Sequence, residues 1–168
     1  MLSSPVSPIR FGRILLTGAA GHLGREMRPR LKACCDRLRL SDREPMAPAA
    51  DGEEVIVADL ADRAAVLALL EGVDAVVHLG GVSTEQSWER IAAANIHGAV
   101  NLYEAARRHG VRRIVFASSN HVTGFYRQDQ VISPRDPVRP DGFYGLSKAF
   151  GEELAQLYWD RFGRETVS

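Results

Sequence analysis

The sequence predicts an α/β fold, a doubly wound parallel β-sheet flanked by helices. Short apolar runs alternate with helical patterns along the 168 residues, as expected for parallel strands joined by right-handed crossovers. The run 75–79 is almost continuously apolar, which is typical of a strand that is buried on both faces. In a sheet of this kind, ligands bind beyond the carboxyl ends of the strands.

We expect five strands and four helices. The predicted strands are 13–17, 37–41, 54–57, 75–79 and 113–117, and the predicted helices are 23–34, 63–70, 85–108 and 143–162. Pro29 should kink the first helix or shift its boundary, because it removes a backbone hydrogen bond. Gly72 and Gly110 are expected to end the second and third helices. Segment 120–141 has several prolines and charges without periodicity, which indicates a loop over the carboxyl edge of the sheet.

The composition is that of one ordinary globular domain, with 45% hydrophobic and 25% charged residues. The 21 basic and 21 acidic residues balance, which argues against nucleic acid or an anionic membrane as a partner. No apolar run approaches the roughly 20 residues that span a bilayer. We assign residues 13–168 to the domain and residues 1–12, a short segment rich in Ser and Pro, to a flexible leader.

The two cysteines, Cys34 and Cys35, are neighbours at the end of a helical pattern. A disulfide between them would be strained, so a reduced, cytoplasmic setting is favoured. No group of His, Cys or carboxylate residues has the spacing of metal ligands, and the sequence therefore predicts no metal.

Three glycines at a spacing of three, Gly18, Gly21 and Gly24, lie between the first strand and the first helix. Backbone N–H groups and a helix N-terminus in this position can hold a pyrophosphate. Asp42 ends the next strand, where a carboxylate can accept both hydroxyls of an adenosine ribose and repel a 2′-phosphate. This favours NAD over NADP, although the neighbouring Arg43 could soften the preference. A glycine loop with a purely structural role is the alternative.

Tyr144 and Lys148 are four residues apart and share a helix face, where the cation favours the phenolate. The pair Ser118-Ser119 follows the fifth strand and can hydrogen-bond a substrate oxygen beside the phenol, with Ser119 lying 25 residues before Tyr144. Together with the glycine turn, these residues predict the proton-abstracting site of a hydride-transferring enzyme. The alternative is an ordinary aromatic residue and a solvated charge, as in most Tyr and Lys pairs at this spacing.

Four further polar residues stand out. Asn120 and His121 follow Ser119 where a substrate would lie, or are ordinary residues of a surface loop. His78 lies inside an apolar strand, which favours a satisfied core histidine over a catalyst. Asn95 has no local partner within a helix, and we expect it to bridge the helix and the active-site backbone.

These motifs together resemble the extended short-chain dehydrogenase/reductases of the NAD-dependent epimerase/dehydratase family, which have a Rossmann-type fold. The matching features are TGAAGHLG, Asp42, Asp59-Leu60, HLGGVS from His78 to Ser83, Asn95, and the set Ser119, Tyr144 and Lys148. Two longer segments are similar to the uronate dehydrogenases. They are ASSNH from Ala117 to His121 and RPDGFYGLSKAFGEELA from Arg139 to Ala155.

The resemblance implies oxidation of a hexuronic acid, such as glucuronate or galacturonate, at its anomeric carbon to an aldarolactone with NAD. By that analogy Tyr144 takes the anomeric hydroxyl proton, and Lys148 lowers the pKa of the phenol from about 10 and binds the nicotinamide ribose. Ser119 orients the sugar hydroxyl and stabilises charge developing on its oxygen. The implied cofactor-binding residues are Gly18, Ala20, Gly21, His22, Leu23, Gly24, Asp42, Asp59, Leu60, Leu79, Gly80, Gly81, Asn95, Tyr144 and Lys148. The implied substrate-binding residues are Ser83, Ser119, Asn120 and His121.

The resemblance also sets two expectations about the whole molecule. Family members run to roughly 260 residues, so we expect the N-terminal portion of a longer enzyme, truncated after the fifth strand and the following helix. A sixth strand would begin at about residues 166–168. The fifth strand would then be an uncovered edge. The helices starting near 85 and 143 would form the four-helix contact of a homo-oligomer. A nucleotide-sugar epimerase or dehydratase, and a non-catalytic NAD-binding fragment, remain as alternatives, and the preferred uronate stays open.

Overall fold

The computed structural model describes residues 10–168. The first strand begins at Phe11, two residues before the domain start predicted at position 13. Residues 1–9, and with them most of the predicted flexible leader, lie outside the described residues.

Six parallel strands form one sheet in the order β3-β2-β1-β4-β5-β6. The strands are β1 (Phe11–Thr17), β2 (Cys35–Asp42), β3 (Glu53–Val57), β4 (Ala75–His78), β5 (Arg113–Phe116) and β6 (Glu165–Val167). The predicted doubly wound parallel sheet is confirmed. The strand order reverses between β1 and β4, and the crevice for a ligand in such a sheet lies at this switch point.

The helices are α1 (His22–Lys32), α2 (Arg63–Leu69), α3 (Trp88–Ile91), α4 (Gly98–His109) and α5 (Phe143–Phe162). A π-helical turn, Ala92–His97, joins α3 to α4, and a 3₁₀ turn, Asn120–Thr123, follows β5. The predicted helix 143–162 is confirmed at both ends. The predicted helix 85–108 is wrong at its start, which lies at Trp88, and the sequence did not indicate the π-helical turn.

Two apolar cores cover the two faces of the sheet. In β1, Leu15 belongs to one core and Leu16 to the other, and both side chains are fully buried. This arrangement explains why the strands are apolar at successive positions, since side chains that alternate in direction meet helices on both sides. The first core also holds Tyr103 of α4 and Tyr158 of α5, whose rings lie 5.3 Å apart.

The end of α1 differs from the prediction. The helix continues through Pro29 and ends at Lys32, two residues earlier than expected. Cys35 is therefore the first residue of β2 and is buried, whereas Cys34 is exposed. The predicted position of both cysteines at the end of the helix is wrong, because the chain has already turned into the next strand.

The predicted uncovered edge at β5 is also wrong. After α5 the chain turns at Gly163, whose φ of 63° is left-handed, and β6 then pairs in parallel with β5. The carboxylate of Glu165 in β6 forms ion pairs with Arg112 and Arg113 on either side of the start of β5. A three-residue strand is enough to cover β5, and β6 becomes the edge of the sheet.

Thr17 ties the carboxyl ends of β1 and β4 together. Its hydroxyl accepts a hydrogen bond from the N–H of Gly80 at 3.1 Å and lies 2.7 Å from Nδ1 of His78. Because His78 is 3% exposed and has this partner, the prediction of a satisfied core histidine is confirmed.

We predict that Thr17→Val lowers the free energy of unfolding by about 1 to 3 kcal/mol, because two buried polar groups lose their partner. Denaturant unfolding measures this change. Thr84→Val is the matched control, since the Thr84 side chain is exposed, and it should change stability by no more than about 0.5 kcal/mol. Equal losses in the two variants would contradict the assignment.

Candidate active site

A cleft of about 720 Å³ lies at the switch point between β1 and β4. The glycine turn and the turn of α5 that carries Tyr144 and Lys148 both line it. Fourteen of the fifteen predicted cofactor-binding residues contribute to its wall, as does the predicted substrate-binding residue Ser83. The fourteen are Gly18, Ala20, Gly21, His22, Leu23, Gly24, Asp42, Asp59, Leu60, Leu79, Gly80, Gly81, Tyr144 and Lys148.

The glycine turn packs directly against the chain that leaves β4. Gly18 has a φ of 69°, and a Cβ there would lie 2.7 Å from the backbone of Leu79 and Gly80. A Cβ on Gly24 would overlap the carbonyl oxygen of Gly18 and lie 2.7 Å from Cα of Ala19. Side chains are thus excluded where the two segments touch, and this close approach forms the floor of the cleft.

The N-terminus of α1 opens into the cleft with no side-chain cap. Its N-cap residue is Gly21, and no acidic side chain lies in the first turn. The first N–H groups of a helix lack partners within the helix and carry the positive end of its dipole. A glycine turn followed by such a helix end fits a diphosphate.

Asp42 lies where β2 ends at the cleft, and its carboxylate is held in place by the backbone. One oxygen accepts a hydrogen bond from the N–H of Ala20 at 3.0 Å, and the other accepts from the N–H of Glu44 at 3.1 Å. Each carboxylate oxygen can accept a further hydrogen bond from a ribose hydroxyl. The neighbouring Arg43 forms an ion pair with Glu44 at 3.2 Å.

Tyr144 and Lys148 point to the same side of α5, as the spacing predicts. The Lys148 amine donates a hydrogen bond to the carbonyl oxygen of Ala117 at 2.7 Å, just after β5. The same Nζ lies 5.7 Å from the centre of the Tyr144 ring and 5.1 Å from that of Phe116. The ammonium group is therefore held beside the phenol ring at the edge of the sheet.

Two buried bases near this turn have different protonation states at neutral pH. Burial lowers the pKa of Lys148 to about 8, so its ammonium form still predominates at pH 7. Burial, and to a smaller extent the charge of Lys148, lowers the pKa of His78 to about 3. His78 is therefore neutral, and Lys148 is the positive charge beneath the phenol.

Asn95 links the loop after β4 to α5. Its Oδ1 accepts the N–H of Val82 at 2.7 Å, while its Nδ2 donates to the carbonyl of Val82 and to Oγ of Ser147. Ser147 Oγ in turn donates to the carbonyl of Tyr144 at 2.7 Å. The structure thus confirms the predicted bridge, but Asn95 lies behind the cleft wall and not in it. Its cofactor-binding role stays a prediction.

The predicted substrate-binding residues after β5 lie on the 3₁₀ turn beside Tyr144. Ser119 Oγ accepts the N–H of His121 at 3.2 Å and donates to Oδ1 of Asn120 at 3.4 Å. The His121 ring lies edge-on to the Tyr144 ring at 5.6 Å, and its Nδ1 is 2.9 Å from Oδ2 of Asp141. Of these residues His121 contacts the Tyr144 ring, and none of the three lines the cleft itself.

Of the two serines after β5, Ser118 lines the cleft and Ser119 does not, and the Ser118 hydroxyl donates to the carboxylate of Glu152 at 2.5 Å. Sequence reasoning missed several other residues of the site. Arg90 of α3 also lines the cleft. Other unpredicted lining residues are Thr17, Ser41, Glu44, Pro45, Ala58, Val82, Thr84, Gln86, Ala94 and Ala117. Several of these end a strand, and that position was the available signal.

Residues 10–168 contain neither a metal-binding cluster nor a membrane-spanning helix. No group of three or more His, Cys, Asp or Glu side chains in this range is arranged to hold a metal ion. No helix in the same range is long and apolar enough to cross a membrane.

The chain belongs to the NAD dependent epimerase/dehydratase family, whose profile matches residues 14–168. A uronate dehydrogenase from Pseudomonas putida is 62% identical over 159 residues, which cover 94% of this chain and 59% of the relative. The crystal structure of uronate dehydrogenase from Agrobacterium tumefaciens has a TM-score of 0.91 at 55% identity over 93% of this chain. A mutant of that enzyme complexed with NAD also has a TM-score of 0.91, at 54% identity over 93% of this chain.

The expected similarity to uronate dehydrogenases is therefore confirmed. The chain spans about three fifths of the length of these relatives, 59% in each case.

We predict that stability rises with pH as Lys148 loses its proton. Between its folded pKa of about 8 and its ordinary value of 10.5, the unfolded chain holds this proton and the folded chain does not. Lys148→Met has no charge to bury, so it should be more stable than the wild type at pH 7. That advantage should shrink by up to about 3 kcal/mol by pH 10.5. Denaturant unfolding at both pH values measures it, and a difference that does not change with pH would contradict the assignment.

Proposed function

We propose that the protein acts in the NAD-dependent oxidation of a hexuronate at its anomeric carbon, with an aldarolactone as product. The observation that carries the proposal is the single cleft lined by both the glycine turn and the Tyr144 and Lys148 pair. The similarity to uronate dehydrogenases over 94% of this chain supports the choice of substrate. The chain spans 59% of the length of the relative from Pseudomonas putida, and the activity is proposed for the whole protein.

NAD, when bound, supplies the hydride acceptor. The α1 N-terminus would hold its diphosphate, and Asp42 its adenosine ribose. The residue that moves a proton is Tyr144, whose phenolate accepts the anomeric hydroxyl proton as the C1 hydride leaves. The products are a lactone carbonyl, NADH and a proton, so electrons and atoms balance.

Lys148 supports this step in two ways. Its ammonium group is held beside the phenol by the carbonyl of Ala117, and a fixed cation there favours the phenolate. The buried position of Lys148 strengthens its interaction with a negative charge on the phenol, because the local dielectric constant is lower than that of water. The same amine would bind the nicotinamide ribose.

The sugar would lie between Tyr144 and the 3₁₀ turn. Ser119 would orient the reacting hydroxyl and stabilise charge on its oxygen, while Ser83, Asn120 and His121 bind the remaining groups. Asp141 fixes the His121 ring through Nδ1, which leaves Nε2 for the substrate.

We predict that Tyr144→Phe lowers kcat by about 10²- to 10⁴-fold, the usual scale for a positioned acid or base. Production of NADH from NAD and glucuronate measures it. Tyr158→Phe is the matched control on the same helix, because its hydroxyl contacts Glu104 and not the cleft. Its kcat should stay within about twofold of wild type. Retained turnover in Tyr144→Phe would rule out the assigned base.

A nucleotide-sugar epimerase is the second candidate, since the chain belongs to the NAD dependent epimerase/dehydratase family. The two reactions differ in what accumulates. A uronate dehydrogenase produces NADH with a free uronate, whereas an epimerase isomerises a UDP-sugar without net reduction. NADH production from glucuronate, with no epimerisation of the UDP-sugar, is the expected result.

A non-catalytic NAD-binding module is the contrasting candidate, and the share of the relatives' length covered by the chain is the observation that favours it. Titration of NAD followed by addition of glucuronate separates the two. Binding without reduction would favour the module.

Cytoplasmic location and assembly through the α4 and α5 helices also stay predictions.

We predict that Asp42→Ser raises the ratio of kcat/KM for NADP to that for NAD by at least about 10-fold. The carboxylate repels a 2′-phosphate, and like charges at an interface cost several kcal/mol. Glu44→Gln is the control, since it frees Arg43 from its ion pair but leaves the carboxylate in place, and it should change the ratio less. An unchanged ratio in Asp42→Ser would contradict the role of Asp42.

A further inference from the structure

The N-terminus of α5, the helix that carries Tyr144, is capped by a side chain from another segment of the chain, Glu85. Its N-cap residue, Gly142, has no side chain to offer. The carboxylate of Glu85 takes that place, with one oxygen accepting the N–H of Phe143 at 3.0 Å and the other accepting the N–H of Tyr144 at 2.9 Å. A Cβ on Gly142 would overlap the Glu85 carboxylate, so the glycine leaves the room that the carboxylate fills.

Both backbone polar groups of Tyr144 have side-chain partners, the N–H on Glu85 before α3 and the carbonyl on Ser147 of the same helix. Glu85 holds the N–H, and Ser147 holds the carbonyl at 2.7 Å. Ser147 is itself bonded to Asn95, which accepts from and donates to the backbone of Val82. Glu85 and Val82 belong to the chain between β4 and α3, and this chain also forms part of the cleft wall.

The contacts of the Glu85 carboxylate stabilise the first turn of α5. A carboxylate at the N-terminus of a 20-residue helix interacts with the positive end of the helix dipole, and hydrogen bonds to a charged acceptor are stronger than neutral ones. Proton transfer needs the donor and acceptor within hydrogen-bond reach, and a misplacement of about 1 Å can cost 10²-fold in rate. A residue that fixes the first turn of α5 thus affects the rate at which Tyr144 works.

We propose that Glu85 is a positioning residue for Tyr144. It joins the wall of the cofactor cleft to the first turn of α5 and sets the place of the phenol relative to the reacting hydroxyl. The inference rests on the proposed function, because it concerns the step assigned there to Tyr144. A helix cap with no other role would stabilise α5 and leave the turnover of folded molecules unchanged.

The test compares Glu85→Ala and Glu85→Gln in the full-length enzyme, well below the unfolding temperature of each variant. Glu85→Ala should lower kcat about 10- to 100-fold, with the KM for NAD within about twofold of wild type. Glu85→Gln keeps one acceptor oxygen and should lose less. Glu153→Ala removes an exposed carboxylate from the same helix and is the matched control, with an unchanged kcat expected.

The substitution Gly142→Ser provides a second test of positioning. It should lower kcat in the wild type and raise kcat in the Glu85→Ala variant. In the wild type the added side chain collides with Glu85, and kcat should fall. In the Glu85→Ala background the serine supplies the missing N-cap oxygen, and kcat should recover at least partly. A wild-type kcat in Glu85→Ala, with only a lower unfolding temperature, would overturn the proposal, as would a loss of kcat in the double variant beyond that of Glu85→Ala.

Hydrogen exchange separates failure of this inference from failure of the proposed function. The amide of Tyr144 should exchange at least about 10-fold faster in Glu85→Ala than in the wild type, whatever reaction the enzyme catalyses. If the wild-type enzyme oxidises no uronate, the proposed function is overturned. Faster exchange of the Tyr144 amide in Glu85→Ala would still show that Glu85 stabilises the first turn of α5. Unchanged exchange overturns that hold even in an active enzyme.

Discussion

The close approach of the glycine turn to the chain leaving β4 is the contact on which the cleft depends. The parallel register of β1 and β4 places Thr17 opposite His78, and the two chains then leave the sheet side by side. Gly18 and Gly80 can touch there only because neither has a side chain in the way. The crevice of a doubly wound sheet lies at this point, and the N-terminus of α1 is turned into it.

The opposite wall depends on polar contacts that reach across the fold. The π-helical turn places Asn95 between the loop after β4 and α5, and Glu85 reaches the amides at the start of α5. Lys148 is buried at a cost, since burial disfavours its charge, but the carbonyl of Ala117 compensates part of that cost. The backbone of Tyr144 is thus held by side-chain hydrogen bonds, and the ammonium group of Lys148 lies near its ring.

Local signals predicted most of the fold and most of the cleft wall. The ends of α5 agreed with the sequence because glycines flank an uninterrupted helical pattern, and the glycine spacing with Asp42 identified one side of the cleft. The start of the third predicted helix was wrong because Glu85 caps α5 and does not begin a helix of its own. Neither that contact, nor the π-helical turn around Asn95, nor the three-residue β6 has a pattern of its own, since each depends on tertiary packing.

A crystal structure of the whole protein with NAD bound tests most directly whether the cleft holds the cofactor against Tyr144. We expect the diphosphate at the N–H groups that begin α1, the adenosine ribose hydroxyls on Asp42, and the nicotinamide ring next to Tyr144 and Lys148. A nicotinamide ring bound away from Tyr144, or a diphosphate away from the glycine turn, would contradict it.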